Sequence, residues 1–277
     1  MFALRTSIEH LTAQPADALD REEALDVFGD FLDALERGDV RSAERDGDGQ
    51  WHANGWVKQG ILLGFRLGEV VDFSSEPFSF FDKRTFPAQQ FSKDDGVRIV
   101  PGGSTIRRGS YVAPGVVCMP PMYVNVGAYV DEGTMVDSHA LVGSCAQVGK
   151  HVHLSAAAQV GGVLEPIGAV PVVIEDDVFV GGGCGVYEGC VIRKGAVLAA
   201  GVILTGSTRV YDLANETVLQ AKEGQLEIPE NAVVVPGTRA VDTGFGREHG
   251  LSLAAPCIVK YRDASTDAAT TLEDALR

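Results

Sequence analysis

Between residues 106 and 210 an aliphatic residue returns at every sixth position. From Ile106 it falls at Val112, Cys118, Val124, Val130, Val136, Val142, Val148, Leu154 and Val160. After a step of fourteen residues it resumes at Ile174 and continues through Val180, Val186, Ile192, Leu198, Leu204 and Val210. The residue two before is small or β-branched in sixteen of these seventeen hexads, and the residue three after is glycine in eight. Side chains alternate along a strand, so the small and the aliphatic residue both point inward, and the glycine takes the corner. Short strands that turn every sixth residue build a triangular prism with three hexads per coil, and stacked coils bury one aliphatic column. The fourteen-residue step across Gly161–Val173 (GGVLEPIGAVPVV) is two residues longer than two hexads. It is expected to leave the prism as a loop, and such loops commonly cover sites.

The flanks follow other rules. Asp20 with Glu23 reads as a capping box, Leu25, Phe28, Phe31, Leu32 and Leu35 follow at helical spacing, and Gly38 reads as a stop. Residues 41–49 (RSAERDGDG) read as a polar connector, and residues 56–66 (WVKQGILLGFR) as a second, apolar helix. Past Val210 the hexad stops, and residues 232–235 and 257–261 predict strands that cap the last coil. Three regions result: a mostly helical domain over 1–95, the β-helix over 96–212 with its loop at 161–173, and a small capping segment over 213–277.

Charge narrows the function classes. The net charge is −15, yet residues 96–212 hold seven basic against nine acidic side chains. An acidic field disfavours nucleic acid and anionic membranes as partners, while a local basic cluster can still receive an anionic ligand. No apolar run reaches a spanning length and the N-terminus lacks a secretory pattern, so a cytoplasmic location is expected. The five cysteines, odd in number and without a CxxC pair, read as buried small hydrophobes.

The polar positions carry the candidate chemistry. Asp137 directly follows the inward Val136, so its carboxylate faces outward, where it can orient or deprotonate an attacking amine. A corner carboxylate bonded to turn amides is the competing reading. His139 and His151 are twelve residues apart and fall on different faces, and His151 and His153 need a third ligand to hold a metal, so corner or interface histidines are expected and no metal site. The glycine strings lack a Walker lysine and read as turns. Arg107, Arg108, Arg193, Lys194, Lys222, Lys260 and Arg262 are candidates for phosphate groups, with solvated charge as the alternative.

Several long non-repetitive strings resemble the tetrahydrodipicolinate N-succinyltransferases: RIVP at 98–101, VNVGAYVDEGTMVDSHALVGSCAQVGK at 124–150 with HVHLS after it, and VGGVLEPIGAVPVVIEDDVFV at 160–180, together with WVKQGILLGFR and FFDKRTF upstream. The likeness thins after about residue 212. It implies a left-handed parallel β-helix, a hexapeptide-repeat solenoid, with a helical N-terminal domain and a small C-terminal cap. It also implies a homotrimer and direct transfer of succinyl from succinyl-CoA, as co-substrate, to tetrahydrodipicolinate, with no permanently bound cofactor or metal. Asp137 matches the family's Asp at the substrate, and Arg98 the Arg that grips a substrate carboxylate. The chain departs from the family at Ser138–His139, where Thr-Trp is usual, and at Gly185, where a second acid/base Glu is usual. Glu188, Glu165 and His139 are left to supply that group, with Glu188 taken as the second catalytic candidate. Lys260 and Arg193 are the candidates for coenzyme contact. The departures keep three alternatives open: an acetyl-CoA-dependent enzyme on the same acceptor, a non-catalytic trimeric scaffold, and, more remotely, a zinc lyase.

Overall fold

The computed structural model describes residues 2–15, 17–222 and 224–262. Three helices open the chain: α1 (Phe2–Ala13), α2 (Arg21–Glu36) and α3 (Gly55–Leu67). The Asp20 carboxylate caps α2 by accepting from the amides of Glu22 at 3.1 Å and Glu23 at 3.2 Å. Phe28, Phe31, Leu32 and Leu35 form its buried stripe, whereas Leu25 stays exposed. Helix α3 approaches this stripe closely because Gly60 has no side chain; a Cβ there would stand 2.8 Å from the Phe31 ring. Helix α1 has no counterpart in the sequence reading: it buries only Ile8 and Leu11, too few positions to give a period. The supposed connector after α2 is instead a hairpin, Ala43–Arg45 against Trp51–Ala53.

From Arg98 onward the chain winds a left-handed parallel β-helix of two-residue strands. Each strand pairs with the strand one coil away, so Val130 lies between Val112 and Val148, and Val136 between Cys118 and Leu154. The three faces are conveniently named by the outward residue of one coil: the Met135 face, the Leu141 face and the Gln147 face. All seventeen hexad aliphatics are buried, in one continuous cluster. The corners adopt left-handed backbone, at glycine and also at His139, Cys145, His151, Ala157 and Asp177.

Two departures from the hexad reading have a common cause, that insertions keep register with the prism. Val160 pairs with Val142 on the Leu141 face and Ile174 with Val148 on the Gln147 face. Fourteen residues thus replace a single six-residue step, and the loop is an eight-residue insertion at one corner, not two hexads and a bulge. Beyond Val210 the register also returns. Ile228 pairs with Ile192 and Val234 with Leu198, six residues apart, so the Gln147 and Met135 faces each gain one more strand after residue 212. The strand Cys257–Tyr261 then runs antiparallel to Ala232–Val235.

The N-terminal region closes the Gln147 face. Arg41 lies 3.7 Å over the Tyr129 ring and donates to Gln147 at 2.9 Å, and Trp51 donates to Glu175 at 2.9 Å. Burial lowers the Arg41 pKa, an effect that the nearby Tyr129 and Asp131 only partly offset. The outward rows of the Met135 and Leu141 faces remain partly exposed over most of their length.

Candidate active site

Asp137 stands at the corner between the Met135 and Leu141 faces, half-buried. One carboxylate oxygen accepts from the Ser138 amide at 2.7 Å, and the other has no hydrogen-bond partner among the described residues. The same corner contact recurs one and two hexads earlier, where Asp131 accepts from Glu132 and Asn125 from Val126, both at 2.8 Å. The local sequence therefore builds the corner with one oxygen and leaves the second pointing outward. His139 follows in left-handed conformation, exposed, its amide bonded to the Pro121 carbonyl.

Arg98 is exposed at the start of the prism, on the same outward row as Met135: it pairs with Val117, which pairs with Met135. Two strand spacings amount to about 10 Å.

Glu188 is not brought to Asp137. It sits in left-handed conformation at the corner between the Leu141 and Gln147 faces, two strands along from Leu141–Val142. One of its oxygens accepts from the Gly206 amide at 3.0 Å. It lines a cavity of about 810 Å³ with Gly168 to Val170 of the loop, Trp51, Gln220 and Lys222. The loop wall is pinned by Lys58 of α3. Fully buried, Lys58 donates to the carbonyls of Ala169 at 2.5 Å and Pro166 at 3.4 Å, and burial lowers its pKa. Its signal in the sequence is a charge inside an otherwise apolar helix.

Arg193 has a different setting from the one expected of a coenzyme contact. Its guanidinium is buried and bonded to Glu175 and to the Gly49 carbonyl, each at 2.9 Å, and bidentately to Glu227. Burial would lower its pKa, but the Glu227 and Glu175 bonds outweigh it and raise the value. Glu175 is likewise held below the usual carboxylate range: burial opposes this, and the Trp51 and Arg193 bonds prevail. With every nitrogen engaged, Arg193 ties the N-terminal hairpin to the prism and is withdrawn from the coenzyme candidates. Lys260 is half-buried opposite Val233, at the far end of the Met135 face from Arg98. Among the described residues no cluster of three metal-ligating side chains forms. His153 instead packs its ring 5.2 Å from Phe179.

The place of a side chain at Gly185 is taken by Tyr187, whose hydroxyl oxygen would lie 2.8 Å from a Cβ at that position. The sequence reading passed over this residue, although it occupies the same hexad slot as Asp137.

A prism of hexapeptide coils with variable outward corner residues defines a hexapeptide-repeat protein. A family model described as the hexapeptide repeat of succinyl-transferase matches residues 171–206, and one described as Tetrahydrodipicolinate N-succinyltransferase N-terminal matches residues 3–67. A 2,3,4,5-tetrahydropyridine-2,6-dicarboxylate N-succinyltransferase of Albidiferax ferrireducens is 43% identical over 96% of this chain and 94% of its own length. One of Bordetella avium is also 43% identical, over 99% of this chain and 98% of its own. This chain belongs to the tetrahydrodipicolinate N-succinyltransferase family. A solved chain from Campylobacter jejuni, described as a 2,3,4,5-tetrahydropyridine-2-carboxylate N-succinyltransferase, shares the fold with a TM-score of 0.51 at 16% identity, over 84% of this chain and 62% of that one.

Proposed function

We propose that this chain transfers the succinyl group of succinyl-CoA to the nitrogen of tetrahydrodipicolinate, giving N-succinyl-2-amino-6-oxopimelate in the diaminopimelate and lysine route. The observation that carries this reading is the near full-length likeness to relatives bearing that name. The acceptor is a cyclic imine, so water adds first to present an amine. Its nitrogen attacks the thioester carbonyl, the C–N bond forms, the C–S bond breaks, and coenzyme A leaves as the thiol with the proton lost by nitrogen; the ring C–N bond of the hydrated carbon then breaks, its hydroxyl becoming the ketone as the proton passes to the amide nitrogen, which gives the acyclic oxo product. Asp137 orients or deprotonates that nitrogen through its outward oxygen, and Arg98 holds an acceptor carboxylate through its guanidinium fork. Glu188 lies too far from Asp137 within one chain to act on the same bond, and Lys260 remains a candidate for the coenzyme's phosphates.

The assembly we propose is a homotrimer working in the cytoplasm, with the groove between prisms as the reaction site and no resident metal or redox cofactor. The Gln147 face is covered by the chain's own N-terminal region, which leaves the Met135 and Leu141 faces for neighbouring copies. No helix among the described residues is long and apolar enough to cross a membrane. Thiol release from succinyl-CoA and from acetyl-CoA, each with and without tetrahydrodipicolinate, tests the reading. It expects acceptor-dependent release with succinyl-CoA; release with acetyl-CoA alone, or none at all, refutes it.

A further inference from the structure

On the Leu141 face the outward row runs Thr105, Tyr123, Leu141, Gln159, Gly185 and Ile203. Its polar groups are largely engaged within the chain. The Tyr123 hydroxyl reaches Asn125 at 3.4 Å, and the Gln159 amide donates to the carbonyls of His139 and Ala157 at 3.3 Å. Tyr187 differs. It leaves the prism one residue after the inward Val186 and folds back over the strand it has just left. A Cβ on Gly161 would stand 2.7 Å from its ring, and one on Gly185 would stand 2.8 Å from its hydroxyl oxygen. Two side chains are missing so that one phenol can lie flat on this face.

Glycine inside a strand weakens it, and it recurs where something must approach the backbone closely. Here the approaching group is a phenol whose hydroxyl has no hydrogen-bond partner among the described residues, whereas Tyr261 donates to Asp212 at 2.6 Å. Phenylalanine would fill the same berth with the same ring contacts. The packing therefore accounts for the ring and not for the oxygen. A fixed donor with no partner among the described residues is the arrangement that stabilises charge developing on a substrate.

We propose that the Tyr187 hydroxyl donates a hydrogen bond to the thioester carbonyl oxygen as it gains negative charge, in a site completed by Asp137 of a second copy of the chain. This rests on the acyl-transfer reading above. Asp137 and Tyr187 flank opposite edges of the Leu141 face and lie two coils apart, so a small substrate that touches both takes them from two copies. No proton is transferred to or from Tyr187; the amine proton leaves with the thiol as before.

The test compares wild type with Tyr187→Phe and Gly185→Ala in the thiol-release assay. Tyr187→Phe keeps the ring and removes the donor, so turnover should fall on the order of 10²-fold while KM and melting temperature stay close to wild type. Gly185→Ala deletes no functional group and its backbone is not left-handed, yet its Cβ pushes the phenol away, so a similar loss of turnover is expected. The double variant should be no slower than Tyr187→Phe alone. Co-expressed Tyr187→Phe and Asp137→Asn chains should recover about a quarter of wild-type activity, because random mixing in a cyclic trimer rebuilds that share of two-copy sites. An active wild type with a fully active Tyr187→Phe overturns the role of Tyr187 alone, and absence of recovery in the mixture overturns the two-copy site. An inactive wild type refutes the acyl-transfer reading itself, and this inference with it.

Discussion

Replacing Asp137 by Asn separates the corner bond that this residue makes from the catalytic role proposed for it. Its inner oxygen closes a corner on the Ser138 amide at 2.7 Å, and Asn125 closes the equivalent corner on Val126 at 2.8 Å with an amide oxygen. Asn at 137 can therefore keep the corner, and stability should change by no more than about 0.5 kcal/mol. What it removes is the charge on the outward oxygen. If that oxygen orients or deprotonates the acceptor nitrogen, turnover falls by roughly 10²- to 10⁴-fold, or about 3 to 5 kcal/mol of transition-state stabilisation. Asp137→Ala loses both functions: the same fall in turnover, and in addition about 0.5 to 1.5 kcal/mol of stability as the Ser138 amide loses its partner. The assay is thiol release at saturating succinyl-CoA and acceptor, with a thermal melt on the same preparation. Asp137→Asn retaining more than half of wild-type turnover would show that the corner bond is all this carboxylate does.

Further outcomes follow from the packing. Leu154→Ala, at the centre of the aliphatic column, should cost about 2 to 5 kcal/mol in chemical denaturation, and a smaller loss would mean that the prism collapses onto the gap. Lys58→Met leaves the carbonyls of Ala169 and Pro166 without their donor, so amide exchange over residues 163–170 should speed up by about tenfold or more while α1 and α2 keep their protection. Arg193→Ala strands the buried Glu175 and should cost about 3 to 5 kcal/mol, with KM for succinyl-CoA unchanged; a raised KM would restore Arg193 as a coenzyme ligand. Glu175 has its folded pKa lowered. Its ion pair therefore stabilises the protein above the unfolded carboxylate value of about 4.3 and is lost as pH falls through the lower folded value, so the gap in melting temperature between wild type and Glu175→Gln should close below about pH 4.

The prism was legible in the sequence because its information is local. Val136 is inward whatever surrounds the molecule, since alternation and the corner fix it within one hexad. Helix α2 was legible for the same reason, from its cap and stripe. What escaped depended on distant partners. Ala43 to Arg45 became a hairpin strand beside Arg41, which covers Tyr129 and Gln147 of the Gln147 face, roughly ninety to a hundred residues later in the chain. The return of the prism at Ile228 was hidden by an excursion whose length breaks the period without breaking the stacking.

The same distinction explains why the site was harder to read than the fold. Asp137, Glu175, Tyr187 and Arg193 all occupy one hexad slot, the residue just after the inward aliphatic, and sequence spacing treats them alike. Their fates differ by corner. Glu175 and Arg193 stand where the Gln147 face ends, beneath the N-terminal hairpin, so they meet Trp51, Gly49 and each other and are spent on holding that hairpin down. Asp137 stands at the corner between the Met135 and Leu141 faces, and one of its oxygens has no partner among the described residues. Tyr187 flanks the Leu141 face, its hydroxyl likewise without a partner among the described residues. Whether an outward residue is spent on scaffold is thus decided by which face the N-terminal region covers, and that region is encoded far from the slot it decides. The inward residues build the same prism at every coil, while the covering domain selects which of its corners stay open for the chemistry proposed above.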